Sequence, residues 1–146
     1  MRFVRASVVL AAVAAALAVP VAVLSSTHAA PPTFSFGRTG GNIIPAKVTI
    51  GSSGKVTATS GMHVTVAQAS NDLRNGLGKL AKAEGFWTES TFLQCQGTNP
   101  DIASRFVTVT QAGKTRTVTE RGSCKPGFPA FDELYAVLSA SVGAGP

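Results

Sequence analysis

Residues 105–120 read RFVTVTQAGKTRTVTE, and they contain the clearest structural pattern in the chain. Valine and threonine alternate on both sides of the short turn Ala112-Gly113-Lys114, and such β-branched residues favour strands. The pattern predicts a β-hairpin with apolar side chains on one face and threonines on the solvent face. β-Propensity explains the threonine series better than a surface that binds ice or sugars.

A second hairpin is predicted nearer the N-terminus. Apolar and polar residues alternate over 46–50 and over 55–59, on either side of the turn cluster at 51–54. Before them, Phe34 and Phe36 alternate with small residues, as in a strand with one buried face. A turn at residues 40–42 follows this strand, and residues 91–95 are a candidate for a further short strand.

Two segments have the spacing of helices. Apolar residues fall on one stripe from 66 to 84, where Thr65 and Gln68 have the spacing of a capping box and Gly85 is a natural stop. Apolar residues recur at helical intervals again from Phe131 to Val142, with acidic residues in the first turn. Together the elements predict an α+β domain, an antiparallel sheet built from hairpins with two helices packed on one face.

The first 29 residues have the pattern of an export signal. Arg2 and Arg5 precede an uncharged run from Ala6 to Leu24, and small residues follow that run. Cleavage after Ala29 satisfies the preference of signal peptidases for small residues, and an uncleaved membrane anchor is the alternative. We therefore expect a single secreted or extracytoplasmic domain over residues 30–146, without membrane attachment once the signal is removed.

Charge does not point to a polyanionic partner. The chain has 13 basic and 7 acidic side chains, and without Arg2 and Arg5 the balance is eleven against seven, a net charge of +4. The basic residues are scattered from Arg38 to Lys125 without a run. This distribution favours a solvated surface over a nucleic-acid interface.

Two cysteines, Cys95 and Cys124, are expected to pair, because an oxidising compartment leaves cysteines paired more often than free. The alternative is a thiol catalyst, which needs a nearby base to lower the pKa of the thiol. His63 is the one histidine after the export signal that could serve. The bridge is expected to fasten both helices to the sheet.

Motifs of enzymes are scarce in the sequence. It has no Gly-x-Ser-x-Gly elbow, no His-Glu-x-x-His pair and no P-loop. We therefore expect a protein without catalytic residues, metal or cofactor. A small hydrolase that uses carboxylates brought together by the fold stays open as an alternative.

Several short motifs together resemble the emfourin-like family. They are the turn Arg38-Thr39-Gly40-Gly41, the strand at 105–110, the strand at 115–119 and the final helix after Pro129. The founding member of that family inhibits a thermolysin-type metallopeptidase, so the resemblance implies a partner of that class. The export signal and the cysteine pair are features that the inhibitor's pattern does not require.

The turn formed by Arg38, Thr39, Gly40, Gly41 and Asn42 is the first candidate for a partner-binding site. Paired glycines let a backbone approach a partner closely, and an arginine can pair with acidic groups. The simpler interpretation is a plain turn between two strands. The loop from Gly97 to Asp101 is the second candidate, and a structural or envelope-associated role without any active loop is the alternative function.

Overall fold

The computed structural model describes residues 29–59, 61–97, 99, 101–122, 124 and 127–145. Apart from Ala29, the predicted export signal lies outside these residues. All named helices and strands fall between Thr33 and Val142, within the predicted domain.

The described residues form one six-stranded sheet and two helices. The strands are β1 (Thr33–Thr39), β2 (Ala46–Ile50), β3 (Val56–Ala58), β4 (Phe92–Gln94), β5 (Ser104–Gln111) and β6 (Lys114–Arg121). The helices are α1 (Asn71–Ala83) and α2 (Pro129–Val142). The strand order is β3-β2-β1-β5-β6-β4. The structure confirms the α+β class and both predicted hairpins.

One edge of the sheet departs from the antiparallel prediction. Strand β4 pairs with β6 in parallel, whereas the other neighbouring strands are antiparallel. The chain reverses direction between β4 and β5, and again between β5 and β6, so β4 and β6 point the same way. The short strand predicted at 91–95 therefore exists, but it extends the second hairpin as a parallel edge.

The core lies between one face of the sheet and the helices. Phe34 is opposite Val109 and Phe36 is opposite Val107, and directly opposed residues point to the same face. All four side chains are buried. The same cluster contains apolar side chains of both helices, including Leu77, Ala81, Phe131, Leu134 and Leu138. Burial of each large side chain contributes about 1.5 to 3 kcal/mol to stability.

The threonines of the β5–β6 hairpin pair with each other across the strands. The hydroxyls of Thr108 and Thr117 are 2.8 Å apart, and those of Thr110 and Thr115 are 2.9 Å apart. Cross-strand hydroxyl pairs of this kind stabilise a sheet. The threonine series thus has a structural role, as its β-propensity indicates.

Helix α1 begins later than the predicted residue 66. Its N-cap is Ser70, whose hydroxyl accepts a hydrogen bond from the N–H of Leu73 at 3.1 Å. Thr65 instead donates its N–H to the carbonyl of Val142, so the capping box predicted with Gln68 is wrong. The β-branched Thr65 and Val66 donate to Val142 at the end of α2. Ala67 accepts from the N–H of a residue of β3, and these tertiary bonds outweigh the local helical spacing.

Helix α2 has a cap that comes from a distant part of the chain. Pro129 is at the start of the helix, where its missing N–H costs nothing. The carboxylate of Glu89 accepts hydrogen bonds from the N–H groups of Ala130 at 2.9 Å and Phe131 at 3.2 Å. A negative charge at this end also interacts favourably with the helix dipole. Glu89 therefore connects the start of α2 to the segment before β4.

The predicted disulfide is confirmed. Cys95 and Cys124 are joined, with their Cα atoms 4.9 Å apart. Cys95 directly follows β4, and Cys124 lies in the connector between β6 and α2. The bridge closes a segment with a sequence separation of 29 residues, for which chain entropy predicts a stabilisation of about 3.5 kcal/mol.

Among the residues that the structure describes, neither helix has the length and apolar character that crossing a bilayer requires.

Candidate functional site

The predicted turn at residues 38–42 extends from the end of β1. Gly40 and Gly41 both have left-handed backbone angles, with φ of 72° and 61°. A Cβ atom on Gly41 would lie 2.2 Å from the carbonyl oxygen of Asp101, whereas one on Gly40 would meet open space. Gly41 is therefore required both by its conformation and by a close backbone approach.

The two loops predicted as alternative sites lie side by side. The N–H of Asn42 donates a hydrogen bond of 3.2 Å to the carbonyl of Asp101. Asn99 supports Asp101 from within the second loop, because its side-chain oxygen accepts from the N–H of Asp101 at 3.0 Å. Thr98 and Pro100 of that loop lie outside the described residues. The two predictions thus describe neighbouring parts of one surface.

This surface exposes large apolar side chains. Ile44 is 75% exposed and lies two residues after the first predicted segment, and Ile102 is 40% exposed and directly follows the second. We call the segment Arg38–Pro45, together with Asp101 and Ile102, the loop surface. Exposed apolar side chains that form a continuous patch are typical of protein–protein contact sites.

Arg38 is the cation of the loop surface. It is exposed, and it forms no ion pair with any residue that the structure describes. It lines one groove of about 330 Å³ with Ile44, Met62 and Tyr135, and another of about 270 Å³ with Ile102 and Arg105. Its guanidinium is therefore available to an acidic group of a partner.

A charged cluster lies behind the loop surface, at the interface of the sheet and α2. One nitrogen of Arg105, Nη2, donates to Oε1 of Glu120 and to Oδ1 of Asp132, both at 2.7 Å. The guanidinium also lies 5.3 Å and 5.4 Å from the ring centroids of Phe131 and Tyr135. These cation–π contacts and ion pairs fix the position of Arg105.

Burial and charge shift the pKa of two members of this cluster. Burial lowers the pKa of Arg105, but its hydrogen bonds and ion pairs with Glu120 and Asp132 outweigh that effect and leave the pKa raised. Burial raises the pKa of the Tyr135 hydroxyl, while the positive charges of Arg105 and Arg38 oppose the shift. Arg105 is therefore a permanent cation, and Tyr135 is neutral at physiological pH.

Glu120 connects this cluster to the disulfide. It is fully buried, and its Oε1 atom accepts from the N–H of Cys124 at 3.4 Å as well as from Arg105. Its other oxygen has no hydrogen-bond partner among the described residues. Sequence reasoning placed Glu120 at the end of a strand and missed its role. The available signal was its inward position two residues after Val118, where a buried charge requires a partner.

The two cysteines beside Glu120 are not free thiols. A carboxylate oxygen of Glu120 and the sulfurs of Cys95 and Cys124 lie within 4.8 Å of one another. Both sulfurs are bonded in the disulfide, so neither is a thiolate that could attack a substrate or bind a metal. His63, the base considered for such a catalyst, forms a backbone bridge with Gly145 after the end of α2.

Comparisons with known proteins add nothing to the resemblance to emfourins, which rests on the short motifs alone. The chain matches no family model, and no curated protein or solved structure matches it.

Proposed function

We propose that this protein is a secreted, non-catalytic binding protein that uses the loop surface to bind a partner protein. The proposed partner is an extracellular metallopeptidase of the thermolysin type, which the protein inhibits. The observation that carries the proposal is the hydrogen bond between Asn42 and Asp101, because it joins the two candidate loops into one exposed surface.

Rigidity supports this role for the loops. A loop that is ordered before binding loses less conformational entropy when a partner binds. The close approach of Gly41 to Asp101 and the asparagine turn at Asn99 both restrict the backbone of the loop surface. A restricted loop is also a poor substrate, since cleavage requires the chain to adapt to the active site of a peptidase.

The chemistry of the surface also suits a protein partner. Ile44 and Ile102 offer apolar area, and Arg38 offers a cation for an acidic group at the rim. The disulfide is compatible with an extracytoplasmic location, where bridges of this kind persist. Secretion itself rests on the pattern of residues 1–29.

Inhibition of a thermolysin-type peptidase by the purified, oxidised protein tests the proposal. We expect peptidase activity to fall at near-stoichiometric amounts while the protein stays intact on gels. Ile44→Asp and Ile102→Asp should each weaken inhibition by about tenfold or more, because they place a charge at the centre of the contact. Phe92→Asp is the matched control, since Phe92 is 50% exposed but lies on β4, outside the loop surface.

Two results would contradict the proposal. One is rapid degradation of the protein with no loss of peptidase activity. The other is inhibition that Phe92→Asp weakens as strongly as Ile44→Asp, because the contact would then not depend on the loop surface.

A further inference from the structure

A cavity of about 500 Å³ lies at the end of β5 that is remote from the loop surface. It is formed where the last turn of α1 approaches the turn between β5 and β6. The cavity is lined by Lys82, Trp87, Gln111, Ala112 and Lys114, and we call it the Trp87 cavity. Strand β5 separates the two regions by on the order of 20 Å, given the rise per residue of a strand. The cavity is thus independent of the proposed protein contact.

Its charge is positive. Lys82 and Lys114 come from different elements, α1 and β6, and both are exposed. Neither forms an ion pair within the part of the chain that the structure describes. Two unpaired ammonium groups around one cavity attract an anion, and they specify the charge of the ligand.

Two polar atoms of the residues that line the cavity have no hydrogen-bond partner in the described part of the chain. They are Nε1 of Trp87, which is a donor, and Oε1 of Gln111, which is an acceptor. Both atoms are shielded from solvent, so each unmade hydrogen bond has a cost. A hydroxyl can pair with either atom, because it both donates and accepts, once the side chain turns that atom towards the cavity.

The turn beside the cavity is strained. Ala112 has a φ of 51° and is the only described residue other than glycine with a positive φ. Asparagine or glycine normally occupies such a position, and alanine there carries a conformational cost. Residues held in this way cluster at ligand sites. Ala112 also lines the cavity, with a small side chain.

We propose that the Trp87 cavity binds an acidic sugar, with a hexuronate unit as the bound group. The two lysines pair with the carboxylate, and the flat indole of Trp87 packs against the apolar face of the sugar ring. Sugar hydroxyls supply the partners that the indole N–H and the Gln111 carbonyl lack. An aromatic acid would satisfy the charge and the indole face, but its ring has no hydroxyl for the two polar atoms.

Trp87 is the only tryptophan of the chain, so its fluorescence reports directly on the cavity. We expect trigalacturonate, titrated into the oxidised protein at low ionic strength, to change the emission with 1:1 saturation, and maltotriose to leave it unchanged. Lys82→Gln and Lys114→Gln should each weaken binding about tenfold, the effect of losing one charge-assisted hydrogen bond. Lys79→Gln is the matched control, because Lys79 is exposed on the same helix but does not line the cavity.

Calorimetry with Trp87→Phe gives a second measurement that does not use fluorescence, and we expect weaker binding there too. The proposal is overturned if trigalacturonate causes no saturable change, if maltotriose binds equally well, or if benzenesulfonate binds and trigalacturonate does not. An equal loss of affinity in Lys79→Gln also overturns it. Ile44→Asp should leave the titration with trigalacturonate unchanged. Failure of the sugar-binding proposal can therefore be told apart from failure of the inhibition proposal.

Discussion

Glu120 is fully buried, and its carboxylate accepts a hydrogen bond of 2.7 Å from the guanidinium of Arg105. Removing one partner of a buried ion pair leaves the other without compensation. Arg105→Met should therefore lower the free energy of unfolding by about 3 to 5 kcal/mol, whereas Glu120→Gln, which keeps the shape, should cost about 1 to 3 kcal/mol. Urea unfolding measures both, with Lys47→Gln on the exposed side of β2 as the control. A loss below about 1 kcal/mol in Arg105→Met would show that the pair is not structurally important.

The disulfide should contribute to the free energy of unfolding by an amount comparable to that of the Arg105–Glu120 pair. Replacing Cys95 and Cys124 together with alanine removes the constraint on the unfolded chain, and we expect a loss of about 3.5 kcal/mol. Denaturant unfolding of the wild type with and without a reducing agent should give the same difference in the free energy of unfolding. The double variant is its own control, because a reducing agent should leave its stability unchanged.

Gly41 and Gly40 form a matched pair for the loop surface. Alanine at either position must adopt a left-handed conformation, at a cost of roughly 1 to 2 kcal/mol. Gly41→Ala also places its Cβ 2.2 Å from the carbonyl of Asp101, whereas Gly40→Ala meets no atom. We therefore expect Gly41→Ala to lower the melting temperature more and to weaken inhibition of the peptidase more. Equal effects in the two variants would mean that contact between the loops is unimportant.

The sequence predicted the fold wherever the local pattern and the tertiary contacts agree. Alternation located β5 and β6 because valines on one face of a strand are buried whatever the neighbouring strands are. It failed at Thr65, because that residue bonds to the end of α2, which no local pattern reveals. The candidate site was likewise predictable only where a local pattern determines it. The glycine turn was visible in the sequence, but its contact with Asp101 depends on the register of β1 and β5.

Glu89 provides a test of such a distant contact. Its carboxylate accepts from two N–H groups at the start of α2, and Glu89→Gln keeps the size of the side chain but removes the charge. We expect a loss of about 1 kcal/mol, typical of a weakened N-terminal cap. Glu84→Gln is the control. Glu84 is the C-cap of α1, where a negative charge is unfavourable. Loss of this charge should therefore leave the stability unchanged or raise it slightly. Equal destabilisation by both variants would contradict the cap.

Tyr135 is the only tyrosine, so the absorbance of its phenolate can be followed without interference from another. Burial raises its pKa above the ordinary value of 10.0, and Arg105 and Arg38 oppose that shift. The folded state therefore keeps the proton at a pH where the unfolded chain has lost it. This contribution to stability is complete below pH 10, and it is lost as the pH rises through the pKa of the folded state.

We expect the phenolate of the native protein to form above pH 10, and the alkaline loss of stability to be smaller in Tyr135→Phe. Arg38→Gln removes one of the opposing charges, so it should raise the pKa of Tyr135 further. Because Arg38 is exposed, added salt should reduce this effect of the substitution. A phenolate that forms below pH 10 in the folded wild type would contradict the role assigned to burial.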